Sequence, residues 1–230
     1  GASLYNSRDN ITYTGKTSLP VAGKVGSVAA ALPNANPVVW DDTNTITVVL
    51  YDTTQILSSV TDTDVLNGKN FALLGNEVIG FATATLIAAG TYTLSRLVRG
   101  RQGTEWACST HTTNEKFVFL NSVATTLGRV PYASSDIGIV EYYKVTDPIT
   151  SIANAVAFTQ TLQGVAVKPW APVLYAPLRN IPSTNDVTLS WFHRSRLNDA
   201  NWMVGGVIVY DLDDTHTYRV NIYSDGTYTT

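Results

Sequence analysis

The stretch Leu73–Leu120 constrains the fold of this chain more than any other, because it predicts three β-strands joined by turns that contain glycine. Within Val78–Leu86, small residues alternate with larger apolar ones, which gives the segment two distinct faces, as expected of a β-strand. The Ala-Ala-Gly sequence that follows predicts a turn, and Tyr92–Val98 predicts the returning strand of a hairpin. Lys116–Leu120 predicts a third strand. The stretch therefore favours a layered β-structure that builds a surface.

The same alternation recurs along the rest of the chain, whereas no long segment shows the 3.6-residue period of a helix. Further strands are predicted over Thr45–Tyr51, Ile137–Val145, Val156–Leu162, Val187–Trp191, Val207–Tyr210 and Tyr218–Tyr223. The one helical signal of note is a short turn over Thr61–Gly68, with acidic residues at its start and glycine at its end. We therefore predict an all-β protein: a sandwich-like or barrel-like module followed by a partial fibronectin type III-like sandwich.

A proline-rich segment, Pro169–Pro172, predicts the main domain boundary, because proline cannot continue a central strand. Residues 1–168 then form the first module, in which segments 1–40 and 126–168 are expected to pair around a central hairpin unit, 41–125. Residues 169–230 are too short for a complete fibronectin type III sandwich, which needs about 100 residues. The chain also starts without Met and ends within an apparent strand. Both features suggest a fragment of a longer polypeptide.

Composition argues against several functional classes. Charged residues make up 14% of the chain and the net charge is −3, against a usual charged share of about 25%. No run of Lys or Arg provides the basic face that nucleic-acid binding requires. No window has the length and apolarity of a membrane span. The single cysteine, Cys108, excludes an internal disulfide framework; it is expected to be a small semi-buried residue, and the alternative is a reactive thiol.

The sequence offers no cofactor motif, and we expect neither a metal site nor a catalytic centre. The three histidines are scattered, whereas a zinc site needs three or four closely spaced ligands; they are His111, His193 and His216. Neither a G-x-S-x-G nucleophile elbow nor a P-loop is present. The pairs Asp41–Asp42 and Asp213–Asp214 are expected in loops, since Asp favours turns, with weak cation binding as the alternative.

The segment Arg99–Gly103 predicts a structural turn, because its two glycines, Gly100 and Gly103, can adopt positive φ. Glu105 follows directly and is expected to pair with Arg99 or Arg101 and so to fix the turn. The alternative is a glycoside hydrolase, which would need a second carboxyl group facing Glu105 across a cleft.

Exposed aromatic rings could instead bind sugars by stacking. Three aromatic residues lie in polar or turn-rich stretches and are the candidates: Trp106, Trp202 and Tyr132. For each of them, packing against its own sheet is the alternative, since large amphipathic rings serve both roles.

Several segments together resemble the C-terminal region of the large tail-hub proteins of long-tailed phages and gene transfer agents, which accompany TIM-barrel-like tail domains. The resemblance covers most of positions 35–225. Its most specific part is RGRQGTEW, within Leu94–Trp106. Further matching segments are Trp40-Asp41, Leu66-Asn67-Gly68, Gly75–Ile79, His111, Glu115–Leu120, Ala157-Phe158-Thr159, Lys168-Pro169-Trp170 and VTLSWFHRSRLNDANW. The ends of the family pattern are missing, and the first 30 residues are less regular.

This resemblance implies a structural and adhesive component of a phage or phage-like tail tip or baseplate, which is not an enzyme. The implied partners are other tail proteins and further copies of the chain in a homo-oligomer. The implied location is the virion tail tip, after assembly in the bacterial cytoplasm. A carbohydrate-binding module for a bacterial cell-surface glycan remains the alternative function.

Overall fold

The computed structural model of the protein describes residues 1–19, 21–120, 130, 132–164, 173–179 and 187–192. These residues form twelve strands: β1 (Ala2–Ser7), β2 (Thr14–Leu19), β3 (Val25–Val28), β4 (Ile46–Leu50), β5 (Phe71–Leu74), β6 (Glu77–Ala88), β7 (Thr91–Arg101), β8 (Lys116–Leu120), β9 (Val140–Thr146), β10 (Ala157–Thr161), β11 (Val173–Arg179) and β12 (Val187–Phe192). The described helical segments are one short α-helix, α1 (Asp62–Leu66), and two 3-10 turns, Glu105–Ala107 and Ser134–Asp136. The predicted all-β class is confirmed.

Six of the strands close into a barrel in the order β3-β4-β7-β6-β5-β8. All of its strand pairs are antiparallel. Its interior is a cluster of fully buried apolar side chains, among them Val48, Phe81, Leu97 and Phe117. Because burying each such side chain contributes about 1.5–3 kcal/mol, this interior is the main source of stability for the unit.

A second apolar cluster lies where α1 packs against the barrel and contains Val65, Phe71, Ala82 and Val98. The helix begins at Thr61, whose hydroxyl accepts a hydrogen bond from the N–H of Asp64 at 3.2 Å. Such a cap satisfies an otherwise unpaired helix N–H group. The short acidic helix predicted from the sequence is therefore present.

The remaining strands form two smaller sheets. The four-stranded sheet has the order β10-β9-β1-β2, so that β1, near the start of the chain, pairs with β9. β11 pairs with β12 in a two-stranded sheet. The predicted boundary at Pro169–Pro172 lies outside the described residues, as do the strands predicted over Val207–Tyr210 and Tyr218–Tyr223.

Most strand positions agree with the sequence analysis, but the predicted turn at Arg99–Gly103 starts later than expected. β7 continues through Arg101, and the turn begins at Gln102. Gly100, although inside the strand, has a φ of +58°, and Gly103 has a φ of +79°. The strand continues through this segment with Arg99 and Arg101 both buried, whereas the prediction of a turn rested on the two glycines, Gly100 and Gly103.

We predict that Gly26→Ala destabilises the barrel by about 1–3 kcal/mol, the usual cost of overpacking. A methyl group at this position would overlap the backbone of Val49 and Leu50 on the neighbouring strand β4. Urea unfolding measures the loss. The matched control is Gly15→Ala, also in a strand, where the added methyl would lie 3.6 Å from the ring of Tyr5. Equal stability of the two variants would contradict the prediction.

Candidate functional site

The most distinctive site in the described residues is a cluster of buried ionisable side chains around Arg99, which lies in β7. The Arg99 side chain has no solvent exposure. Its guanidinium donates from Nε to Glu77 Oε1 at 2.9 Å, from Nη2 to Glu77 Oε2 at 2.9 Å and from Nη1 to Asp41 Oδ2 at 3.0 Å. The two remaining N–H groups donate to the carbonyl oxygens of Pro33 and Cys108. All five guanidinium donors are therefore satisfied.

Glu77, the first residue of β6, is the acceptor at the centre of this cluster, and it is also fully buried. In addition to Arg99, its carboxylate accepts the backbone N–H of Gly100 at 2.6 Å and the thiol of Cys108 at 3.3 Å. The positive φ of Gly100 belongs to the backbone conformation that makes this contact. A buried carboxylate is stable only when its lone pairs are used in this way.

Asp41 connects the cluster to the loop that precedes β4. Its backbone N–H donates to the carbonyl of Leu97 at 2.8 Å, and the N–H of Leu97 donates back at 3.1 Å. Its carboxylate also accepts hydrogen bonds from Asn44. The neighbouring residue Trp40 lies under the guanidinium of Arg96, 4.4 Å from the ring centroid. The Trp-Asp pair thus fixes the loop to β7 through a backbone bridge and a cation–π contact.

His111 extends the cluster to the strand β8 side of the barrel. Its Nε2 lies 2.5 Å from Glu77 Oε2 and its Nδ1 lies 2.7 Å from Glu115 Oε2, while only 1% of the side chain is exposed. Gly75 leaves the space that the Glu115 carboxylate occupies, since a Cβ there would overlap it. Both ring nitrogens face carboxylates, so the protonated imidazolium can donate to both.

The pKa values follow from this arrangement. Burial alone raises the pKa of Glu77, but its hydrogen bonds to His111 and Arg99 outweigh burial, and the pKa is lowered. Burial alone lowers the pKa of His111, but its bonds to Glu77 and Glu115 outweigh burial, and the pKa is raised. Burial together with the nearby Glu77 charge raises the pKa of the Cys108 thiol to about 12. Cys108 is therefore buried, in surroundings that favour the protonated thiol over the reactive thiolate.

We name the segment 102–109, which follows β7 directly, the Trp106 turn. Thr104 fixes it by donating to the carbonyl of Arg101 at 2.6 Å and accepting from the N–H of Val78 at 2.9 Å. The cluster fixes it further through Cys108. The indole of Trp106 is 56% exposed, and Gln102 and Ser109 on the same turn are exposed as well. The turn thus presents a ring to solvent on a tightly held backbone.

The other predicted site residues do not come together with Trp106 in one binding site. Tyr132 is 40% exposed and precedes the 3-10 turn Ser134–Asp136, whereas Trp202 lies outside the described residues. The carboxylates bonded to Arg99 are Glu77 and Asp41. Arg101 is buried and stacks over the ring of Phe71, and Glu105 starts the 3-10 turn that carries Trp106.

The sequence analysis did not predict that Arg99 forms a cluster with residues outside the predicted turn, which are Asp41, Glu77, Cys108, His111 and Glu115. Glu77 offered the clearest signal, because it is a charged residue at the head of the otherwise apolar segment EVIGF, and charges within a core strand are rare unless paired. Across the described ranges, no group of three or more His, Cys, Asp or Glu side chains is arranged to hold a metal ion. None of the described helices is long and apolar enough to cross a membrane.

Fold and site together define a six-stranded antiparallel barrel whose strand ends are joined by a buried ionic cluster. The protein-family model described as Rcc01698-like, C-terminal, matches residues 23–118. The matched range runs from just before β3 into β8 and contains every ionisable member of the cluster. A comparison with curated proteins found no match.

We predict that Arg99→Met destabilises the protein by about 3–5 kcal/mol, because it leaves two buried carboxylates without their main counterion. The control is Arg96→Met, which removes an arginine of the same strand whose partners Asp42 and Asp62 are exposed and whose cation–π contact with Trp40 contributes about 1 kcal/mol. Exposed ion pairs contribute about 1 kcal/mol or less. Urea unfolding compares the two variants, and similar losses for both would contradict a dominant role for the cluster.

We also predict that stability declines as the pH rises above 6.5, the ordinary pKa of histidine. The folded-state pKa of His111 is raised, so its contribution is complete below the unfolded value and is lost as the pH rises through the folded value. His111→Gln should flatten this part of the profile of unfolding free energy against pH. A wild-type slope that persists unchanged in the variant would show that His111 is not its source.

Proposed function

We propose that this protein is a structural and adhesive component of the tail tip or baseplate of a phage or phage-like particle, and that it is not an enzyme. The observation that carries the proposal is the position of the RGRQGTEW segment in the fold. Arg99, at its start, is buried and bonded to Glu77 and Asp41, and Trp106, at its end, is exposed. The segment through which the chain most resembles tail-hub proteins therefore builds a rigid support for an exposed contact residue.

Two further observations support a structural role. The match to the Rcc01698-like family model covers residues 23–118, and this range contains the most specific motif segments and the barrel up to the middle of β8. In addition, the central ionisable groups of the cluster, within the described residues, are engaged with one another: the side chains of Glu77, Arg99 and His111 are 0–1% exposed. Groups so enclosed support a fold rather than contact a substrate.

In this proposal the barrel is a mechanical element and the Trp106 turn is a contact element. A backbone held by buried hydrogen bonds loses little conformational entropy on binding, which favours affinity. Exposed Trp is also the residue type most enriched at energetically important positions of interfaces. The proposed partners are neighbouring tail proteins, further copies of the chain and the host envelope. The proposed location is the virion tail tip, after assembly in the bacterial cytoplasm.

The second candidate is a carbohydrate-binding module for a bacterial cell-surface glycan. The exposure of Trp106 on the same turn as the exposed Gln102 and Ser109 favours it, because a sugar face can stack on an indole while polar side chains of the turn bind the hydroxyl groups. Tyr132 offers a second exposed ring, 40% accessible. The two candidates are compatible, since a tail-tip protein can adhere through a glycan.

We predict that Trp106→Ala reduces attachment of the particle to host cells about tenfold or more, the effect of losing one important interface aromatic, without changing the stability of the protein. Trp106→Phe should restore part of the attachment. The control is Ile11→Ala, at a residue that is 82% exposed and outside the barrel. Attachment is measured by adsorption, and a glycan array tests the second candidate.

Labelling of intact particles with an antibody to this chain, viewed by electron microscopy, tests the location. Signal at the distal tail is expected. Signal on the capsid would eliminate the proposed role even if Trp106 affects attachment, and wild-type attachment by Trp106→Ala at a tail-tip location would eliminate only the contact role of the turn.

A further inference from the structure

The chain contains one Asn-Gly sequence, Asn67-Gly68, and the structure places it at the end of α1. An asparagine before glycine loses its side-chain amide more readily than other asparagines, because glycine leaves the following backbone nitrogen unhindered. Asn67 is exposed. Among the described residues, no atom lies within 4 Å of the position that a Cβ at Gly68 would occupy. Solvent therefore reaches this pair.

Two backbone hydrogen bonds hold the pair in one conformation. The N–H of Gly68 donates to the carbonyl of Val65 at 2.9 Å, and the N–H of Lys69 donates to the carbonyl of Asp64 at 2.9 Å. With Gly68 at a φ of +89°, this is the Schellman arrangement that commonly ends helices. The Lys69 ammonium also donates to the Asp64 carboxylate at 2.7 Å. The nitrogen of Gly68 is thus bonded and fixed while α1 is intact.

Loss of the amide begins when the Gly68 nitrogen gives its proton to solvent and forms a bond to Cγ of Asn67. The bond between Cγ and Nδ2 then breaks, Nδ2 takes up a proton and leaves as ammonia, and a five-membered imide remains. Water opens the imide at one of its two carbonyl groups, which gives aspartate or isoaspartate. The reaction needs water alone, without an oxidant or a reductant.

The folded end of α1 opposes both requirements of this reaction. The imide ring closes only when the Gly68 nitrogen turns towards Cβ of Asn67, but a ψ of 11° holds it on the side of the Asn67 nitrogen. The proton that must be lost is engaged with the carbonyl of Val65. We propose that Asn67 is a deamidation site whose conversion requires the last turn of α1 to open.

Conversion also weakens the helix end that it required to open. Isoaspartate lengthens the backbone at Asn67, which displaces the N–H groups that bond to Val65 and Asp64. Either product adds a negative charge at the helix C-terminus, where the helix dipole disfavours it. Because α1 carries Val65 into the second apolar cluster and Asp62 to the guanidinium of Arg96, the modification loosens the packing of α1 on the barrel.

This proposal does not depend on the proposed function, and peptide mass mapping of the chain after incubation tests it. In urea, where α1 is unfolded, Asn67 should convert about tenfold or more faster than in the folded chain, because conversion no longer waits for local opening. It should also convert before any other asparagine. Asn67→Gln should abolish the mass change in this peptide, since glutamine would have to form a six-membered ring.

Thr61→Ala tests the role of helix opening within the folded chain, because the Thr61 hydroxyl caps α1 at its other end. Loss of this cap should speed conversion of Asn67 about fivefold, the usual effect of a helix cap on the opening equilibrium. The matched control is Thr150→Ala, at an exposed threonine in the loop between β9 and β10, which should leave the rate unchanged.

If Thr61→Ala does not fold, the comparison of the wild-type chain with and without urea decides the question. Equal rates of conversion in the folded and unfolded chain would overturn the proposal, as would an unfolded chain in which another asparagine converts first. A folded Thr61→Ala variant that converts at the wild-type rate would also overturn it, because opening of α1 would then not be required.

Discussion

The ion pair between Glu77 and Arg99 is the interaction on which the arrangement of the barrel strands and the Trp106 turn depends. Removing two charges from water is costly, and the cost is repaid only when geometry and additional hydrogen bonds are favourable. Here the guanidinium uses all of its donors, and the carboxylate accepts from Arg99, Gly100, Cys108 and His111. Because the pair contacts residues of β6, β7 and two loops, the one before β4 and the one before β8, those segments have one mutual arrangement in which no buried charge is left unpaired.

The cluster also links the stability of the barrel to the position of the Trp106 turn. Its three carboxylates, of Asp41, Glu77 and Glu115, face only two basic side chains, Arg99 and His111. This excess of negative charge favours the protonated imidazolium and raises the pKa of His111. The same contacts hold the Trp106 turn, since Cys108 at its end contacts both Arg99 and Glu77. Trp106 is therefore an exposed ring on a backbone that is held by buried hydrogen bonds.

The sequence predicted the fold class and the main hairpin well, because alternation with a period of two depends on local backbone geometry alone. Strands such as β1, β2 and β5 were not predicted, since they are short or polar and gain their stability from neighbours distant in the sequence. Of the site, the sequence predicted only the exposed turn, with Trp106 and Gly103. The bonds of Arg99 to Glu77 and Asp41 could not be predicted, because 22 and 58 positions separate these residues from it.

The sequence by itself determined the strand-forming pattern, the start and end of the short helix, and the glycines that permit positive φ. Each of these depends on residues that are close together in the chain. Only the tertiary structure decided which charges are buried and which strand edge stays open. Both depend on barrel closure, which brings distant side chains within hydrogen-bonding distance and leaves the end of β6 with β7 as its one neighbour among the described strands.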